Sequence, residues 1–90
     1  ELKSNRESGF GRYDVMMIPK KGAGPGVIME FKVLDAYDGE CTLEDTAANA
    51  LKQIGEKQYE TELLARGISS ENILKYGFAF SGKECLIRKG

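Results

Sequence analysis

Three charged side chains stand inside two stretches that otherwise read as buried β-strands. Asp14 lies in Arg12-Tyr13-Asp14-Val15-Met16-Met17-Ile18. Glu30 and Lys32 lie in Val27-Ile28-Met29-Glu30-Phe31-Lys32-Val33. An unpaired charge buried among apolar side chains is costly, so each needs a partner. Side chains alternate along a strand, so Glu30 and Lys32 share one face, and Asp14 shares a face with Met16 and Ile18. The connection Pro19-Lys20-Lys21-Gly22-Ala23-Gly24-Pro25-Gly26 is full of breakers and reads as the loop of an antiparallel hairpin. With that loop centred on Gly22, Met16 faces Ile28 and Asp14 faces Glu30. A slip of one residue would send the acids to opposite faces. Like charges directly opposite destabilise a sheet. A divalent cation converts that repulsion into binding, and Mg²⁺ takes one or two carboxylates together with waters and phosphate oxygens. On this reading Asp14, Glu30 and Lys32 form a metal-dependent, phosphodiester-cleaving site. The spacing leaves a second reading open: a charge cluster at a sheet end, with Lys32 bridging Asp14 and Glu30.

Composition narrows the chemistry. The 90 residues contain no histidine. Histidine general bases, histidine-ligated zinc and Ser-His or Cys-His nucleophile pairs are therefore excluded, leaving carboxylates, lysine and a hard metal. The net charge of −1 and pI near 5.5 argue against a strong non-specific nucleic-acid binder. Basic residues still cluster locally, at Lys3, Arg6 and Arg12 and at Lys20 and Lys21. Cys41 and Cys85 have no metal-ligand spacing and read as reduced thiols, which points to the cytoplasm. No apolar run approaches the ~20 residues of a membrane helix. The start, Glu-Leu-Lys-Ser-Asn-Arg, is polar and lacks a Met, so the chain is expected to be part of a longer protein.

These residues need a scaffold. Ninety residues make one domain. Residues 1–8 are polar with a short strand, and Gly9-Phe10-Gly11 signals a turn. After the hairpin, residues 35–41 form a loop. Thr42 reads as a helix N-cap, and with Asp45 three residues on comes close to a capping box, starting one long helix that reaches about Arg66. Leu43, Ala47, Ala50, Leu51 and Ile54 give it an apolar stripe. Gly67 is placed to end it, with Ile68 as the hydrophobic cap contact. Gly55 inside the helix is unfavourable by about 1 kcal/mol against Ala, which close packing on the sheet would explain. Residues 73–80 and 84–88 are strands joined by Ser81-Gly82-Lys83. The order β-β-β-α-β-β predicts an α/β mixed sheet with a long helix on one face.

Several blocks in order carry a resemblance. Asp14 followed by a hairpin and Glu30-Phe31-Lys32 resembles the PD-(D/E)XK nuclease superfamily. Ser4-Asn5-Arg6-Glu7-Ser8-Gly9-Phe10-Gly11-Arg12-Tyr13-Asp14 resembles one bacterial branch of it, whose members usually carry an ATPase-like domain in front. So do Ala50-Leu51-Lys52-Gln53-Ile54, Lys57-Gln58-Tyr59 and Lys75-Tyr76-Gly77-Phe78-Ala79-Phe80. Together they span nearly the whole chain. Tyr13 stands where the superfamily motif has proline. The resemblance implies a restriction-endonuclease-like α-β-β-β-α-β core, DNA as substrate, and Mg²⁺ or Mn²⁺ as cofactor. The first core helix would precede residue 1 and is missing from this stretch. A partner segment or a homodimer would then complete the fold.

The resemblance also implies roles. Asp14 and Glu30 would ligate the metal, with the Phe31 carbonyl as third ligand. A lysine beside two carboxylates is held in its charged form, so Lys32 is expected to orient the attacking water and stabilise charge. Gln53 and Lys57 share a helix face, which the resemblance turns towards the site, with Gln53, Lys57 or Tyr59 contacting phosphate or water. A solvated helix face is the alternative. Glu7 is a further acid on the first strand. Arg6 and Arg12 are candidates for DNA phosphates, contacts that position without specifying sequence, or else plain surface arginines. Catalysis can be absent altogether, leaving a nuclease-like domain for DNA binding or assembly. Two other motifs fail. Gly77-Phe78-Ala79-Phe80-Ser81-Gly82-Lys83-Glu84 ends in Glu84 where a phosphate loop needs Ser or Thr. Gly22, Gly24 and Gly26 are interrupted by Pro25 and followed by a strand, which excludes a dinucleotide fingerprint.

Overall fold

A computed structural model describes residues 2–6, 12–20, 24–57 and 59–90, with the first of these segments described at the backbone level. Five strands form one sheet: β1 (Leu2–Arg6), β2 (Arg12–Met17), β3 (Gly26–Val33), β4 (Ile73–Ser81) and β5 (Glu84–Lys89), neighbours in that order. The β2–β3 pairing is antiparallel with Asp14 opposite Glu30 and Met16 opposite Ile28, the register expected from the loop. On its other side β3 pairs parallel with β4, which puts Gly77 beside Glu30 and Ala79 beside Lys32. The sheet is therefore mixed, and β3 is its central strand.

Helix α1 (Leu43–Glu56) begins at a true capping box: Thr42 accepts from the Asp45 N–H, and the Asp45 carboxylate accepts from the Thr42 N–H. The apolar stripe packs as expected, with Ala47, Ala50 and Ile54 buried. The single long helix expected to Arg66 is instead two, α1 and α2 (Tyr59–Ala65). The reason lies in the site. Residues 57 and 59 of a continuous helix point about 160° apart, yet Lys57 and Tyr59 both reach Asp14. Breaking the helix between them makes both contacts feasible. The end of α2 follows expectation. Gly67 has φ +89, the Ile68 N–H reaches the Leu63 carbonyl, and the Gly67 N–H reaches Leu64, which is a Schellman cap.

The core lies between the helices and one face of the sheet, built from Met16, Ile18, Ile28, Ile54, Leu63 and Ile73, with Leu51, Tyr59 and Ile68 against it. Close approach is set by a strand glycine, not by Gly55. Gly55 is exposed with open space around it, whereas a Cβ on Gly77 would sit 2.6 Å from the Ala47 carbonyl oxygen. The opposite sheet face carries aromatic rings. Phe31 stacks on Phe78 with centroids 4.7 Å apart, flanked by Phe80 and Tyr13. No helix among the described residues is long and apolar enough to cross a membrane.

Candidate active site

The acid pair is buried under the helices. Asp14 is 2% exposed and Glu30 0%. Both project from the core face of the sheet at adjacent, paired positions of β2 and β3. Their repulsion is met by Lys57 at the end of α1. Its Nζ lies 3.0 Å from Asp14 Oδ2 and 3.4 Å from Glu30 Oε2. The Tyr59 hydroxyl donates to the same Asp14 oxygen at 2.7 Å.

Lys32 is elsewhere. It makes no ion pair with Asp14 or Glu30, so the bridging reading does not hold, although it stays on their face of the sheet two residues from Glu30. Its Nζ pairs with Glu40 at 2.6 Å and with Asp38 at 3.1 Å. Two residues along a strand advance about 6.6 Å, and the Lys32 ammonium is held by the loop that enters α1. That loop turns through a short 3-10 segment, Ala36–Asp38, and a left-handed Gly39 (φ 78) that leads into Glu40. Glu40 is 3% exposed and richly bonded. It accepts from the Asp35 N–H, the Thr46 hydroxyl, the Asn49 amide and Lys32. Burial alone would raise its pKa. The hydrogen bonds from Asn49, Lys32, Asp35 and Thr46 outweigh burial and lower it from 4.5 to about 2.

Glu40 escaped the sequence reading because its loop has no periodicity and is simply polar. A signal did exist on the helix. Thr46, Asn49, Gln53 and Lys57 recur at helical spacing, and three of the four touch a buried acid. Gln53 sits half-buried between Asn49 and Lys57 in this stripe, and its side chain makes no hydrogen bond with the described residues. Arg12 is the cross-strand neighbour of Lys32, on the face of the acids. Arg6 stands opposite Tyr13 in β1, and its side chain lies outside the described residues, as does the whole of Glu7. The Phe31 ring is on the far face, so Phe31 can offer the site only its backbone carbonyl. Among the described residues no group of three or more acids, cysteines or histidines is gathered to hold a metal.

The decisive comparison is with protein families: the profile of the PD-(D/E)XK nuclease superfamily matches residues 1–90. The chain belongs to the PD-(D/E)XK nuclease superfamily. Neither the curated proteins nor the solved structures contain a match. The mixed sheet with its helices is the restriction-endonuclease-like fold of this superfamily. PD-(D/E)XK nucleases typically use divalent metals. The donors present suit such an ion: two hard carboxylates at paired positions, the number Mg²⁺ takes when water and phosphate fill the remaining places.

Proposed function

We propose that this domain hydrolyses DNA phosphodiester bonds with Mg²⁺ or Mn²⁺ as cofactor. The observation that carries the reading is the buried, register-paired Asp14 and Glu30, adjacent to lysine and tyrosine donors. Asp14 and Glu30 would hold the cation, with the Phe31 carbonyl as third ligand. The bound cation would supply charge stabilisation on the phosphate and acidify a water. Tyr59 fixes the Asp14 carboxylate through its hydroxyl. Lys32, held by Glu40, lies on the same sheet face and presents positive charge for the attacked phosphate. Gln53 extends the polar stripe for water or phosphate. Arg12, on the face of the acids, would contact the DNA backbone, with Glu7 as an auxiliary acid; Arg6, opposite Tyr13, stands at a register position of the other face. The two exposed free thiols suit a reducing, cytoplasmic setting.

Incubation with plasmid, single-stranded and branched DNA and Mg²⁺ or Mn²⁺ tests the proposal. Cleavage should fall at least about 100-fold in Asp14→Ala and in Lys32→Ala, the scale of losing an electrostatic stabiliser. Cleavage that survives both would remove the site assignment. A second reading, a non-catalytic nuclease-like domain for DNA binding or assembly, draws on one observation: both lysines are already ion-paired, Lys57 to the acids and Lys32 to Glu40. DNA binding without cleavage on any substrate would favour it.

A further inference from the structure

We infer that Lys57 is the resident counter-ion of the acid pair, and that it leaves when a divalent cation binds. The inference rests on the metal-site reading of Asp14 and Glu30. The ammonium touches both acids, approaching Asp14 Oδ2 and both oxygens of Glu30 within 3.0–3.5 Å. A cation shared by the two carboxylates needs oxygen contacts near ~2.1 Å. It would enter the wedge that Nζ fills, and two positive charges cannot share it. Lys57 is also the most accessible of the three groups, its side chain 15% exposed against 3% for Asp14 and 0% for Glu30. As the C-cap residue, Lys57 follows the last residue of α1, so its side chain can move without unwinding a helix turn. Both hydrogen bonds that Asp14 accepts from described residues fall on Oδ2. The rival arrangement is thus an ion on Asp14 Oδ1 with Lys57 unmoved. Under exchange, the freed ammonium stays beside the site, available to an anionic substrate. Metal loading and delivery of that charge become one event.

Mn²⁺ titration of the intact chain, followed by electron paramagnetic resonance or calorimetry, tests exchange without any activity assay. Lys57→Met removes the competing charge at similar volume. Its Kd for Mn²⁺ should tighten about tenfold, the equivalent of about 1.4 kcal/mol. Asp14→Asn should abolish binding in both backgrounds. Because Lys57→Met leaves two buried acids unpaired and can impair folding, the wild-type chain gives a second readout. Acetylation of Lys57, followed by mass spectrometry, should speed up on adding Mn²⁺, while that of the exposed Lys52 on the same helix stays constant. Equal or weaker Mn²⁺ binding by Lys57→Met, or an unchanged acetylation rate with Asp14-dependent binding intact, would overturn exchange and leave the metal site standing. Absence of Mn²⁺ binding in both the wild-type chain and Lys57→Met would overturn exchange and the metal site together.

Discussion

Glu40 shows how one residue can organise a site without belonging to its motif. It neutralises Lys32, joins the loop to α1 through Thr46 and Asn49, and buries a full charge with every oxygen engaged. Its carboxyl titrates well below the usual range, so the sign of its contribution to stability follows directly. Stability from this charge is complete above the unfolded value of 4.5 and is lost as pH falls towards about 2. The magnitude is on the order of 3 kcal/mol. Glu40→Gln presents an amide donor to donors already in place, so it should be less stable than wild type above about pH 4.5, and the gap should close in acid. Urea melts of both chains between about pH 6 and pH 2 check this. A gap constant with pH would mean that charge plays no part. Asp14 and Glu30 were legible because a charge in an apolar strand contradicts its surroundings. Glu40 was not, because a glutamate in a polar loop contradicts nothing, and its partners become visible only when α1 is laid over the sheet.

At the scale of elements, the close-packing role expected of Gly55 falls to Gly77 instead. Gly55 occupies a helix but faces solvent, so nothing in the packing requires it. Gly55→Ala should raise stability by about 0.5–1 kcal/mol. Gly77 is the contact on which α1 rests, where a methyl group would meet the Ala47 carbonyl oxygen at 2.6 Å. Gly77→Ala should lower stability by about 1–3 kcal/mol, because backbone must move to admit it. Denaturation midpoints of the two variants should move in opposite directions, and a shift of the same sign would refute the assignment. Capping box, Schellman cap and hairpin register were all readable, since each depends on neighbours a few residues apart. The break between α1 and α2 was not, since it follows from two side chains converging on one distant aspartate.

For the whole molecule, β3 decides the architecture by pairing antiparallel with β2 and parallel with β4. A mixed sheet was readable from the order of elements. That β4 lies against β3 was not, because a parallel pairing reached across helices leaves no local mark. The position of β3 also sets an order of assembly. Asp14 and Glu30 are sixteen residues apart and meet as soon as the β2–β3 hairpin closes. Their counter-charge comes from Lys57, 43 residues beyond Asp14 and 27 beyond Glu30, and arrives only when the helices dock. Local hairpins close in about 1–10 μs, ahead of long-range docking. A hairpin that closes first holds two opposed anions with no lysine between them. Screening that repulsion should speed folding: stopped-flow refolding should accelerate with added NaCl, and more with millimolar Mg²⁺, and Asp14→Asn should remove most of the dependence. A refolding rate indifferent to both salts would show that the hairpin waits for its lysine.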